Sequence, residues 1–357
     1  MTKLWKAEGN GTFLSSAIAE AGVVIARGGT VAFPTETVYG LGADAGNTEA
    51  VEAIFAAKGR PSDNPLIVHI ANIGQLDLLV EEVDATSRLL MERFWPGPLT
   101  LVLPVKVGAV SARVTAGLPT IAVRMPDHPV ALGVIRAAGC PVAAPSANRS
   151  GRPSPTLAEH VRTDLDGRID GIVDGGPTGV GVESSVVVVE EGGRLVRLLR
   201  PGGITVDDLK AAVPEAQIAF EAVSEVTEAP RSPGMKYTHY APRGRLVVVQ
   251  GSERLRTEWV REAVADAKRA GDRTGVLTVA ERASLYEADL VVGCGREDRM
   301  ETVAQELYAA LRRFDDNGIT YIVAEGYESA EGIGLAVLNR LIKAAGNQLI
   351  RIGESES

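Results

Sequence analysis

Two rhythms of apolar positions alternate along this chain. TFLSSAIAEAGVVIARGG repeats apolar residues at helical spacing and stops at a glycine pair, and TVAFPT after it is a short apolar run of the kind that forms a buried strand. NTEAVEAIFAAKGRP predicts a helix, opened by an Asn-Thr cap and closed by Gly59 and Pro61. PLIVHI reads as a strand, and DATSRLLMERFWPGP as a helix ended by Pro96. LTLVLP, TIAVRMP and PVAAPSA are expected strands, with the helix DHPVALGVIRAAG between the last two; IDGIVDGG, SSVVVVE and RLVRLLRPG complete the series. Helices mingled with strands predict an α/β sheet, and the close succession of late strands predicts some antiparallel pairing.

The texture changes after PGGITVDDLKAAVP. EAQIAFEAVSEVTEAP is acidic and aperiodic, as a linker would be, and SPGMKYTHYAP follows it. RLVVVQG, SERLRTEWVREAVADAKRAG, TGVLTV, DLVVGC, a helix from about Met300 to Phe314, YIVAEG and GIGLAVLNRLIKAAG then alternate as in a small doubly wound α/β domain. The expected division is residues 1–214, a linker at 215–243, and a smaller Rossmann-like domain at 244–357.

Composition narrows the class. At 357 residues the chain favours two cores, and 45% hydrophobic with 23% charged residues is the make-up of a folded globular protein. No cationic, apolar leader opens it, and no run nears the ~18–20 apolar residues that a membrane helix needs. The expectation is a cytoplasmic protein with no membrane partner. The net charge of −9 is spread over both halves, so the bulk field does not draw polyanions, and phosphate binding requires a local cluster of cations. Cys140 and Cys294 stand apart, outside any metal-ligand or Cys-x-x-Cys spacing, and read as buried thiols. Cys140 keeps a minor claim as a nucleophile because it lies close to APSAN.

No Walker-type phosphate loop and no nucleophile elbow occurs. Instead, cations stand at helix and strand ends among Pro, Gly and Ser: Lys58, Arg60, Arg124, Arg149, Arg152 and Arg200. Open α/β sheets bind ligands beyond strand ends, and arginine forks suit phosphates and carboxylates. Thr35, Thr37, Thr120, Ser146, Ser154, Ser184 and Ser185 occupy similar places. His69 fits either a core histidine or a substrate contact, whereas His128, His160 and His239 read as structural or exposed. Many cations and hydroxyls with few nucleophiles suit a reaction driven by positioning and charge neutralisation, such as carboxylate attack on the α-phosphate of ATP.

PTETVYGLGADA, KGRPSDNPLIVHI, FWPGPLTLVLP, TIAVRMPDHP, APSANRSGRPSPT, ESSVV and LRPGG, in this order, resemble the threonylcarbamoyl-AMP synthase family with its YrdC-like domain. The blocks cover nearly all of residues 12–210, and SPGMKYTHYAP followed by an α/β domain resembles the family's long, two-domain form. The resemblance implies a twisted mixed sheet with helices, followed by a Rossmann-like domain. It also implies condensation of L-threonine, bicarbonate and ATP into threonylcarbamoyl-AMP and pyrophosphate. A separate transferase complex would carry the product to the adenosine beside the anticodon of tRNA, giving threonylcarbamoyladenosine (t6A). Carried over by motif position, Arg60, Asn64, Thr120, Ser146, Ser154 and Arg200 would contact ATP, with Lys58 near the phosphates; Lys58 and Arg60 would carry the catalysis. Thr37, His69, Arg124, Ala144 and Ser184 would hold L-threonine, its carboxylate on Arg124. The glycines of PTETVYGLGADA would let backbone approach the ligand. Tyr237 and Tyr240 would belong to a lid across the site, the alternative being a rigid spacer. No carboxylate cage announces a protein-held metal, so Mg2+ is expected to arrive on ATP. A non-catalytic RNA- or nucleotide-binding module of the same type is the competing reading; direct tRNA contact finds little support in the charge and sparse aromatics.

Overall fold

The computed structural model describes residues 1–7, 12–220, 239–327 and 331–353. Two compact units emerge, the second taking in residues 151–153 as well as the chain from 239 onward.

Eleven strands form the sheet of the first unit: β1 (Lys3–Lys6), β2 (Val31–Pro34), β3 (Tyr39–Asp44), β4 (Ile67–His69), β5 (Leu99–Pro104), β6 (Thr120–Arg124), β7 (Val142–Ala143), β8 (Gly171–Asp174), β9 (Ser185–Glu190), β10 (Leu195–Arg200) and β11 (Gln217–Phe220). Their order is β1-β8-β2-β3-β7-β4-β6-β5-β9-β10-β11. Parallel and antiparallel pairs mix: β4 runs parallel to β6, while β3/β7, β5/β6 and β9/β10 are antiparallel. A core of Leu, Val, Ile and Ala with Tyr39, Phe55 and Trp95 lies against it.

Local chemistry sets the helix ends. In helix Thr48–Lys58 the Asn47 side chain accepts from the Ala50 N–H, and Gly59 leaves in the left-handed region (φ 61°). Helix Pro129–Ala138 begins under His128, whose Nδ1 accepts from the Val130 N–H, so His128 is an N-cap. Those ends place Lys58 and Arg60 at the close of one helix.

Three expectations change. The glycines of YGLGAD, expected to let backbone approach a ligand, lie in β3, paired antiparallel with β2, where they serve packing. A Cβ on Gly42 would sit 2.5 Å from a Phe33 ring carbon and 2.8 Å from Val142 Cγ1. The stretch after 214 is not yet linker, because Gln217–Phe220 adds β11 parallel to β10; a strand of four residues is too short to show a period of two in the sequence. PVAAPSA shortens to the two-residue β7, its remainder staying beside β3 through hydrogen bonds from Leu41 N to the Pro145 carbonyl and from Ala147 N to the Tyr39 carbonyl.

The second unit is a five-stranded, wholly parallel sheet: β12 (Arg245–Gly251), β13 (Thr274–Thr278), β14 (Leu290–Gly293), β15 (Tyr321–Glu325) and β16 (Leu349–Ile352), ordered β14-β13-β15-β12-β16. Helices Glu253–Arg269, Met300–Asp316 and Gly334–Ala344 connect the strands, as expected of a Rossmann-like domain. At the end of β15 the buried Glu325 carboxylate pairs with Arg256 (2.8 Å) and Arg282 (2.9 Å) and accepts from the Tyr286 hydroxyl (2.6 Å). Tyr240 belongs here too: its ring lies 5.2 Å from that of Tyr308 and beneath the Arg340 guanidinium. Tyr237 lies outside the described residues. Among these, no helix is long and apolar enough to cross a membrane.

The Gly42 contact makes a test. Gly42→Ala should lose about 1–3 kcal/mol, the usual penalty of overpacking, read from the shift in urea midpoint at unchanged slope.

Candidate active site

The site assembles at the ends of β4 and β6. These strands run parallel with His69 opposite Arg124, so both side chains leave the same face. The turn from β2 to β3 arrives beside them. Thr35 Oγ1 accepts from the backbone N–H groups of Thr37 (3.2 Å) and Val38 (3.3 Å) and donates to the Val38 carbonyl (2.7 Å). The Thr35 proton is thereby committed, so Thr37 donates to Thr35 across their 2.9 Å contact. Thr37 Oγ1 in turn accepts from Arg124 NH1 at 2.9 Å.

Arg124 is only 3% exposed. Its Nε donates to the Gly97 carbonyl (3.2 Å), and its NH2 pairs with Glu36 Oε1 at 2.5 Å. The segment Trp95–Pro98 is the common brace. Gly97 N donates back to the Met125 carbonyl, and the Pro98 carbonyl accepts from Ser185 N (2.9 Å), next to Ser184. Ser184 Oγ lies 2.7 Å from Thr100 Oγ1 and takes an N–H from Arg200 NH2 at 3.1 Å, while the Ser184 carbonyl accepts from Arg200 Nε and NH2. Ala144 is buried and donates its N–H to the Ile67 carbonyl, two residues before His69.

His69 is neutral. Burial first, then the Arg124 cation, pull its pKa down to about 3. With Nδ1 3.3 Å from the Ile67 carbonyl, the proton belongs on Nδ1 and Nε2 is left as an acceptor. An uncharged acceptor thus stands next to a buried guanidinium.

A second group of residues is tied together through the loop after β7. Lys58 Nζ donates to the carbonyls of Ser146 (2.5 Å) and Asn148 (2.6 Å), and Ser146 Oγ donates to Asn148 Oδ1 (2.6 Å). Burial, reinforced by Arg60, pushes the Lys58 pKa well below that of an ordinary lysine. Lys58 therefore acts as a strap that shapes the loop, with one ammonium proton beyond those two bonds. Arg60 donates to the carbonyls of Asn64 and Pro65, and Asn64 Oδ1 is buried with no hydrogen-bond partner among the described residues. Ser154 Oγ donates to Glu183 Oε1 at 2.6 Å.

Not every candidate joins these groups. Thr120 opens β6 and Arg124 closes it, a separation of about 13 Å along the strand. Arg149 is exposed. Burial and the neighbouring Asp44 push the Cys140 thiol up to about 12, and burial raises Cys294 further, so neither is a ready nucleophile. Glu36 and Glu183 were not among the sequence candidates; both lie inside quoted motifs, PTETV and ESSVV, where the hydroxyls drew the attention.

One family description, "Telomere recombination", matches residues 23–202, and another, "Threonylcarbamoyl-AMP synthase, C-terminal domain", matches residues 204–346. The threonylcarbamoyl-AMP synthase of Bacillus subtilis is 54% identical over 334 residues, 94% of each chain. That of Pyrococcus abyssi is 46% identical over 328 residues, 92% of this chain and 94% of its own. The crystal structure of P. abyssi Sua5 complexed with L-threonine superposes with a TM-score of 0.90 at 44% identity, covering 99% of this chain and 100% of that one.

The His69 environment fixes a pH signature. Its folded pKa of about 3 lies below the unfolded value, so the unfolded chain binds the extra proton between them. Stability is full above about pH 6.5 and falls towards pH 3, by up to ~1.4 kcal/mol per pH unit from this residue alone. In urea titrations at pH 7 and 4.5, His69→Gln should show the smaller loss; equal losses would rule out a buried, neutral imidazole.

Proposed function

The chain belongs to the threonylcarbamoyl-AMP synthase family in its two-domain form, and on that premise we propose that it condenses L-threonine, bicarbonate and ATP into threonylcarbamoyl-AMP, releasing pyrophosphate. The observation that carries this reading is the buried Arg124 at the end of β6, flanked by the Thr37 hydroxyl and beside a neutral His69. A guanidinium shielded from water is the strongest side-chain partner for the carboxylate of an amino acid. His69 Nε2 then offers an acceptor to the hydroxyl or amine of the same ligand, and Ser184 and Ala144 line the neighbouring strands. The likeness to a relative whose structure is described as holding L-threonine supports this assignment.

The nucleotide falls to the other group. Arg60, Asn64, Ser146 and Ser154 are assigned to ATP, joined by Arg200 from beside Ser184 and by Thr120 at the far end of β6, and the Asn64 side-chain Oδ1, buried without a donor among the described residues, is ready to accept from a ligand. Lys58 and Arg60 supply positive charge where negative charge develops on the departing pyrophosphate, Lys58 also by fixing the loop at Ser146.

In the reaction the threonine amine takes up CO2 or bicarbonate, and one oxygen of the resulting N-carboxylate attacks the α-phosphate. The α–β phosphoanhydride bond breaks and pyrophosphate leaves with the electron pair. This is a nucleotidyl transfer, governed by alignment and charge. Mg2+ belongs to the nucleotide substrate: the carboxylates within the site, Glu36 and Glu183, are turned to Arg124 and Ser154. The product would pass to a transferase that modifies tRNA beside the anticodon to t6A.

Purified protein given ATP and bicarbonate should release pyrophosphate only when L-threonine is added. Arg60→Ala should lower that rate by at least 100-fold with an unchanged cooperative unfolding profile. Pyrophosphate release independent of threonine would overturn the assignment.

A further inference from the structure

Arg124 is already paired with a carboxylate of its own chain. Glu36 Oε1 lies 2.5 Å from NH2, and the Glu36 side chain is 13% exposed. The three nitrogens of the guanidinium are not equivalent. Nε is held by the Gly97 carbonyl and NH1 by the Thr37 hydroxyl, both fixed by backbone hydrogen bonds or a tight turn. NH2 alone meets a side-chain carboxylate.

That carboxylate is loosely held. Both of its oxygens are shielded from solvent, and beyond the ion pair neither has a hydrogen-bond partner among the described residues. Structural buried carboxylates normally collect several N–H or O–H donors, as Glu325 does in the second unit. The Glu36 backbone, in contrast, is anchored: its carbonyl accepts from Val180 N at 2.7 Å, and the next carbonyl, of Thr37, accepts from Gly181 N. A fixed backbone with an unanchored charged end suits a side chain that swings.

We propose, resting on the assignment of the Arg124 pocket to L-threonine, that Glu36 is a resident counter-ion which the carboxylate of the substrate displaces from Arg124. Glu36 neutralises a buried cation when no ligand is present, since an unpaired guanidinium there would be strongly destabilising. It also raises the threshold for entry. Only a ligand that brings its own carboxylate can replace the lost ion pair, so Glu36 acts as a specificity-determining residue that lowers affinity in exchange for selectivity. Amines or amino alcohols of threonine's shape leave Arg124 to Glu36.

Titration calorimetry of the full chain with L-threonine tests the exchange. Glu36→Gln keeps the shape and removes the competing charge, and should bind L-threonine roughly tenfold more tightly than wild type. Glu36→Asp, whose retracted carboxylate pairs less well, should fall between them. In thermal melts the Gln variant should unfold earlier than wild type without ligand and gain more from saturating threonine, a pattern that simple structural damage does not give. L-Threoninol, which lacks the carboxylate, should fail to bind wild type. A Gln variant that binds threonine equally or more weakly, beside a wild type that binds it, overturns the exchange alone and would assign Glu36 to the ammonium group or to the scaffold. A wild type that binds no threonine overturns both the exchange and the proposed function.

Discussion

A guanidinium removed from water at the end of a strand is the constraint around which the first unit is organised. Arg124 needs partners on every nitrogen, and the chain supplies them from two distant segments: the Thr35–Val38 turn, which brings both Thr37 and Glu36, and Gly97 of the Trp95–Pro98 brace. Thr37 and Gly97 are themselves held by hydrogen bonds, and Glu36 is held through its backbone, so the Thr35 hydroxyl, the Pro98 carbonyl and the β4/β6 register serve one charge. Burial of such a group without this framework would be strongly destabilising. With it, the protein keeps a guanidinium buried and paired with Glu36 in a region of low dielectric, where each charge contact counts for more than at a surface.

The same economy of donors explains Lys58. Its ammonium does not stand free in a cleft but ties the end of one helix to the carbonyls of Ser146 and Asn148. Binding chemistry and scaffold are therefore not separate sets of residues. Arg200 repeats the pattern by holding Ser184 through both its carbonyl and its hydroxyl.

Much of this was legible in the sequence because it depends on local signals. The helix Thr48–Lys58 announced itself through Asn47 and Gly59, the strands through apolar runs, and the cations through their positions among Pro, Gly and Ser. Ordered motifs gave the family. What escaped depended on contacts between remote segments. The packing role of the β3 glycines escaped because it is the pairing of β2 with β3 that lays Phe33 across Gly42. β11 escaped because its partner, β10, supplies half of what makes it a strand. Glu36 and Glu183 escaped because a carboxylate's role is set by the cation or hydroxyl facing it, and Arg124 is 88 residues further along.

The edge strand β11 also decides where this polypeptide can be divided. Phe220 pairs with Leu198, two residues short of Arg200 on the neighbouring strand. Severing it ahead of Gln217 would strip the support from the ribbon whose last side chain grips Ser184, exposing a bare hydrogen-bonding edge. Severing it beyond Phe220 leaves that ribbon flanked on both sides. A scissile point chosen by composition, where the acidic stretch begins near residue 215, would thus remove β11 while seeming only to remove a tether.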